Sequence, residues 1–95
     1  MIIEYKKELE KATKEYQEIY DIEKLVIEIN HYKLQNYDMY QELIELNEEL
    51  KSYKLGTTKA VQVSFTMNDK INIIEENKKD IKRVKEELKA LVEKY

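Results

Sequence analysis

Glu28-Ile29-Asn30-His31 holds the only histidine of this 95-residue sequence, three residues from a carboxylate. On a helix that spacing puts both side chains on one face, the arrangement by which helical bundles hold a pair of iron or manganese ions between carboxylates. Such a site needs two pairs of this kind and two further inward carboxylates. Only a second copy of the chain can duplicate the motif, with Glu75, Glu76 or Asp80 supplying the rest. Glu28 and His31 flank an apolar seam without belonging to it, which favours a surface pair with no chemical role. A carboxylate-rich di-metal bundle is therefore carried as an alternative, and no metal or cofactor is expected.

Other chemistries lack their residues. There is no Cys, one His and one Gly, Gly56, so neither a nucleophilic triad nor a glycine-rich phosphate loop can be built. Carboxylates are plentiful, but acid–base work needs them converging in a pocket, and their spacing reads as a solvated helix face. No enzyme activity is expected. Lys78-Lys79, Lys82-Arg83 and Lys85 form a basic cluster that suits phosphates, which carries a second alternative, a nucleic-acid-associated regulatory protein. Glu76, Asp80, Glu86 and Glu87 interrupt the cluster, so a salt-bridge-laced coiled-coil exterior accounts for it better.

Helices must position all of these groups. Proline is absent, 39% of residues are charged, and the mean hydropathy is -0.75, yet 42% of residues are apolar and fall into a period. From Ile22 the positions Leu25, Ile29, Tyr32, Asn36, Met39, Leu43, Leu46, Leu50 and Tyr53 alternate steps of three and four, a heptad seam broken in character only at Asn36. Lys54-Leu55-Gly56 reads as the helix end, with Gly56 free to turn left-handed. Over residues 57–67 the pattern changes: Val61, Val63, Phe65 and Met67 alternate with polar residues, which predicts an extended or β connector over residues 55–67. Thr66 or Asn68 then caps a helix of about residues 68–95, whose seam is Met67, Ile74, Ile81, Leu88 and Tyr95 with Val84 and Leu91. Lys70 and Asn77 are its weak early members.

At about 1.5 Å per residue the arms measure roughly 50 and 42 Å, and laying Lys54 beside Asn68 brings Tyr95 near Ile27. Asn36 and Asn77 do not face one another in that register. The N-terminal stripe Tyr5, Leu9, Ala12, Tyr16 and Ile19 runs out of phase with the main seam and overhangs. Either the first helix breaks near residues 20–21 and folds back, or it continues and a second molecule covers it. Ile27, Leu34, Tyr37, Tyr40 and Ile44 add a second apolar flank.

Charge is uneven. Residues 1–54 hold 8 Lys against 13 acids, and residues 68–95 hold 8 basic against 7 acidic groups, within a net charge of -3. The N-terminus turns charged at once and no apolar run approaches membrane length, so the cytoplasm is expected and a membrane is not.

The helix, the connector Gly56–Ser64 (Gly-Thr-Thr-Lys-Ala-Val-Gln-Val-Ser) and Asn68-Asp69-Lys70-Ile71 opening an acidic heptad helix resemble the N-terminal helical hairpin of sigma-like transcriptional regulators of phages and mobile elements. The likeness covers about residues 40–95, and the helix-turn-helix that follows in those regulators does not follow here. It implies a self-association module without the DNA-reading part. The helix–β–helix order also resembles prefoldin β-type subunits, which carry a β-hairpin where this sequence offers one strand.

The sequence thus predicts one all-α domain over residues 1–95. It is a long antiparallel helical hairpin, a coiled coil with a short extended connector, dimerising into a helical bundle. Its expected role is that of a protein–protein interaction module, an adaptor or inhibitor, with itself as partner in a homodimer or higher even oligomer and a further protein beside it. The residues expected to carry association are Tyr16, Tyr20, Leu34, Tyr37, Tyr40, Ile44, Val61, Val63 and Phe65.

Overall fold

No proline interrupts the chain and its one glycine stands at position 56, so a helix begun at the N-terminus meets no obstacle for half the sequence. The structure is a computed structural model and describes residues 2–95. Helix α1 spans Ile2–Lys51, 50 residues without a break, and helix α2 spans Thr58–Lys94, 37 residues. They fold back on each other as a rod with extents of 81 × 19 × 14 Å. At Tyr20-Asp21 the helix continues while its apolar face rotates, so residues 2–20 extend α1 and do not fold back.

The reversal is short. Ser52 and Tyr53 tighten the end of α1, their amides donating to the Glu49 and Leu50 carbonyls at 3.0 and 3.1 Å. Gly56 takes φ +84°, the left-handed conformation that an L side chain resists. Thr57, in extended backbone, caps α2: its hydroxyl accepts from the Ala60 amide at 3.3 Å and donates to the Lys54 carbonyl at 2.9 Å.

The extended connector is corrected by this turn. Residues 58–67 are helical, and Thr66 and Asn68 lie inside α2 instead of capping it. Two patterns coexist there, because Val61, Val63, Phe65 and Met67 alternate while Ala60, Val63 and Met67 also step by three and four. Only the helical ladder finds a partner within the chain: Ala60 and Val63 are buried and Met67 is half-buried. A lone strand would leave its backbone groups unpaired. The hydroxyls of Ser64 and Thr66 donate to the Ala60 and Gln62 carbonyls at 2.9 and 3.1 Å, so both are satisfied within the helix.

Every member of the α1 seam from Ile22 to Tyr53 is buried or half-buried, as is the α2 ladder from Ala60 to Leu91, with Val84 fully enclosed. The earlier start of α2 slides the register. Tyr95 donates its hydroxyl hydrogen to Asp21 at 3.3 Å and does not reach Ile27. Residues 2–17 project beyond α2, all of them exposed.

Candidate interaction surface

Midway along the hairpin two amides meet inside the seam. Asn77 donates through Nδ2 to Asn36 Oδ1 and to Gln35 Oε1, both at 2.9 Å, and Asn36 Nδ2 reaches the Ile74 carbonyl at 3.4 Å. Asn36 and Asn77 are both buried, so the expectation that they do not face one another is corrected along with the register. An apolar seam tolerates slippage; a paired amide layer does so only by stranding both partners.

Charge is segregated to the two edges of the seam. On one edge Arg83 stands among Glu28, Asp80 and Glu87, at 3.9, 3.7 and 3.0 Å, and this carboxylate company, led by the bond to Glu87, holds its guanidinium above its ordinary pKa. Glu42 on the same edge binds Lys70, a seam residue whose ammonium leans out to it. The other edge carries Lys78, Lys82, Lys85 and Lys89, spaced four, three and four, which with Ile81 and Glu86 line a shallow groove of about 370 Å³. Lys78 is tied to Glu75 at 3.4 Å, whose bond raises its pKa. Lys82, Lys85 and Lys89 enter none of the ion pairs among the described residues. The basic cluster of the sequence is thus split by the helix: its arginine neutralises acids on one edge and its lysines gather on the other.

A second ladder runs along α1, nearly opposite the seam at about 150° round the helix and inclined to the lysine side. Ile2, Leu9 and Tyr16 repeat at seven, as do Tyr20, Ile27 and Leu34, and then Tyr37 and Ile44. Lys6, Thr13, Glu23, Asn30 and Gln41 fill the remaining rungs. Every apolar member is exposed, Leu9 and Ile27 each to 67%, and Tyr5, Ile19, Val26 and Tyr40 widen the stripe beside them. It extends from the overhang to within two turns of the reversal. Exposed apolar side chains repeated at one spacing over this length are unusual for a single chain. The same spacing that makes an inner seam is repeated outside it with nothing of the chain laid against it.

Of the residues expected to carry association, Tyr16, Tyr20, Leu34, Tyr37, Tyr40 and Ile44 all lie on this stripe. Val61 and Phe65 are exposed at the other end of the rod, where with Leu55, Leu50 and Ala60 they line a small apolar recess beside the turn. Val63 is corrected: it is buried between the helices and offers nothing to a partner. Sequence reasoning passed over Ile2 and Leu55, the latter 96% exposed. The seven-residue spacing of Ile2, Leu9 and Tyr16 was the signal for the first; Leu55 had none.

The chemical candidates are not assembled. Glu28 is committed to Arg83, Glu75 to Lys78 and Asp80 to Arg83, while His31 is exposed with its ring 5.9 Å from that of Tyr32. Among the described residues no three His, Cys, Asp or Glu side chains group so as to hold a metal ion, and no helix is long and apolar enough to cross a membrane. Compared with known protein families, curated proteins and solved structures, the chain matches none.

Proposed function

We propose that this chain is a non-enzymatic protein–protein interaction module, a rigid hairpin that works by presenting the outer stripe of α1 to another helix. One observation carries the reading: apolar side chains stand exposed at heptad spacing along α1 from Ile2 to Ile44, on a helix whose inner face is already packed from Ile22 onward. The inner seam supplies stiffness and register, and the outer one is left for association. Burial of such ladders between chains is the ordinary route by which small helical proteins without disulfides or metals gain stability. Self-association into a homodimer or higher even assembly is the first expectation, with an adaptor or inhibitor role toward a further protein built on it. The resemblance to the hairpins of sigma-like regulators supports a regulatory setting of this kind.

Sedimentation equilibrium across a wide dilution range tests it. Wild-type protein is expected at a multiple of 11.5 kDa. Ile27→Glu with Leu34→Glu, which leaves the inner seam untouched, is expected at the single-chain mass with its helix content retained over residues 18–95. Single, fully folded wild-type molecules at every concentration would sink the reading.

A further inference from the structure

The overhang and the stripe answer each other. Residues 2–17 extend beyond α2 and carry the ladder Ile2, Leu9 and Tyr16, while residues 19–34 carry Tyr20, Ile27 and Leu34 on the same stripe. We propose that the overhang of one chain lies antiparallel on residues 19–34 of a second copy, and that the second copy's overhang does the same in return. This rests on the reading of the chain as a self-associating module and fixes its geometry.

Three considerations select the arrangement. First, about a two-fold axis near Glu18, Tyr16 meets Tyr20, Leu9 meets Ile27 and Ile2 meets Leu34, each pair formed twice, while Ala12 lies beside Val26 and the two Ile19 side by side at the edge. Second, the flanking polar residues suit that register. Glu10 falls beside His31 and Gln17 beside Lys24. Sliding one heptad toward longer overlap sets Lys24 against Lys24 and Glu10 against Asp38, like charges across a contact. Sliding one heptad toward shorter overlap breaks the Ile2–Leu34 pair and returns Leu34 to water. A parallel in-register pairing stacks Glu23 on Glu23 and Lys6 on Lys6.

The third consideration is the polar rungs. In this register Thr13 meets Glu23 and Lys6 meets Asn30, so no like charges face each other along its centre. Glu4, Glu8 and Glu15 continue the inner seam, turn away from the contact and take no part in it.

The chain has no native cysteine, so single cysteines report the register directly. Leu9→Cys and Ile27→Cys chains, mixed under mild oxidation, are expected to form the mixed disulfide. Each alone is expected to stay uncrosslinked, because identical positions stand roughly 27 Å apart at 1.5 Å per residue. A disulfide from Leu9→Cys alone, or a dimer with no mixed crosslink, overturns this arrangement and leaves the interaction reading standing. A single-chain mass at every concentration removes both.

Discussion

Replacing the two seam asparagines by leucine, singly and together, gives a quantity that the structure fixes in sign. In Asn36→Leu one N–H of Asn77 loses its acceptor inside the seam, keeping only the 2.9 Å bond to Gln35. In Asn77→Leu the Asn36 oxygen loses its donor, and its amide keeps only the 3.4 Å contact to the Ile74 carbonyl. Each single variant therefore strands a buried polar group, at about 1–3 kcal/mol. The double variant strands none. Whatever each leucine gains by burial appears in both arms of the cycle and cancels. The double variant should be more stable than the sum of the singles implies by about 2 kcal/mol, and at least as stable as wild type, since a well-packed apolar pair commonly equals a buried polar one. Urea unfolding followed by circular dichroism, at one fixed protein concentration so that association contributes equally, measures all four proteins. Additivity to within about 0.5 kcal/mol would mean that the two amides do not touch, and the register drawn from them would be wrong.

Three further outcomes test other parts of the molecule. Gly56→Ala meets no atom within 4 Å, so its effect is conformational strain alone at φ +84°, about 1–2 kcal/mol of lost stability in the same unfolding assay; an unchanged midpoint would refute the left-handed turn. Val63→Asp should unfold the turn-proximal half of the hairpin, while Val61→Asp, two residues away on the exposed side, should leave helix content intact; equal damage from both would argue for a strand there. The Tyr95 phenol is held above its ordinary 10.0, first by loss of water and then by the Asp21 carboxylate, so its proton is bound more tightly in the folded chain. Its contribution is then fully present below pH 10.0 and is lost as pH rises through the folded value, and absorbance titration should show Tyr95→Phe removing a late-titrating phenol and not an ordinary one.

How much of this could be read from the letters differs along the chain. The seam of α1 was legible in full, since ten positions from Ile22 to Tyr53 keep one alternation and all of them turn inward. Near the start of α2 the letters supported two periods at once, and Ala60 is too small to announce a core position. The deciding clue was at a distance: Leu50 and Tyr53 need facing partners, and a second helix begun at residue 68 supplies none. Adding Val63 and Ala60 to the ladder does, and it moves Asn77 opposite Asn36. The mistake about the asparagines and the mistake about the connector are thus the same mistake. On the outer face, Leu34, Tyr37, Tyr40 and Ile44 were recognisable as a flank, but its continuity with Tyr16 and Leu9 depends on α1 passing through Tyr20-Asp21 unbroken, which local residue types leave undecided.

The two ladders of α1 divide the helix in a way that bears on the overhang. Continued toward the N-terminus with its own spacing, the inner seam meets Glu18, Glu15, Lys11, Glu8 and Glu4, charged at every step. It stops being apolar at Ile22, level with the last turn of α2, where Tyr95 bonds to Asp21. The outer ladder does the reverse, since Ile2, Leu9 and Tyr16 are apolar where the inner positions are charged. The apolar positions of the overhang therefore lie on its outer face and not on the line that packs against α2. A helical extension of this length without tertiary contact is marginal in water, and burial of one face is what ordinarily sustains it. Residues 2–17 should accordingly hold their amide hydrogens only as firmly as the stripe is covered, so hydrogen exchange over this first third of α1 is expected to slow with rising protein concentration if the chain self-associates.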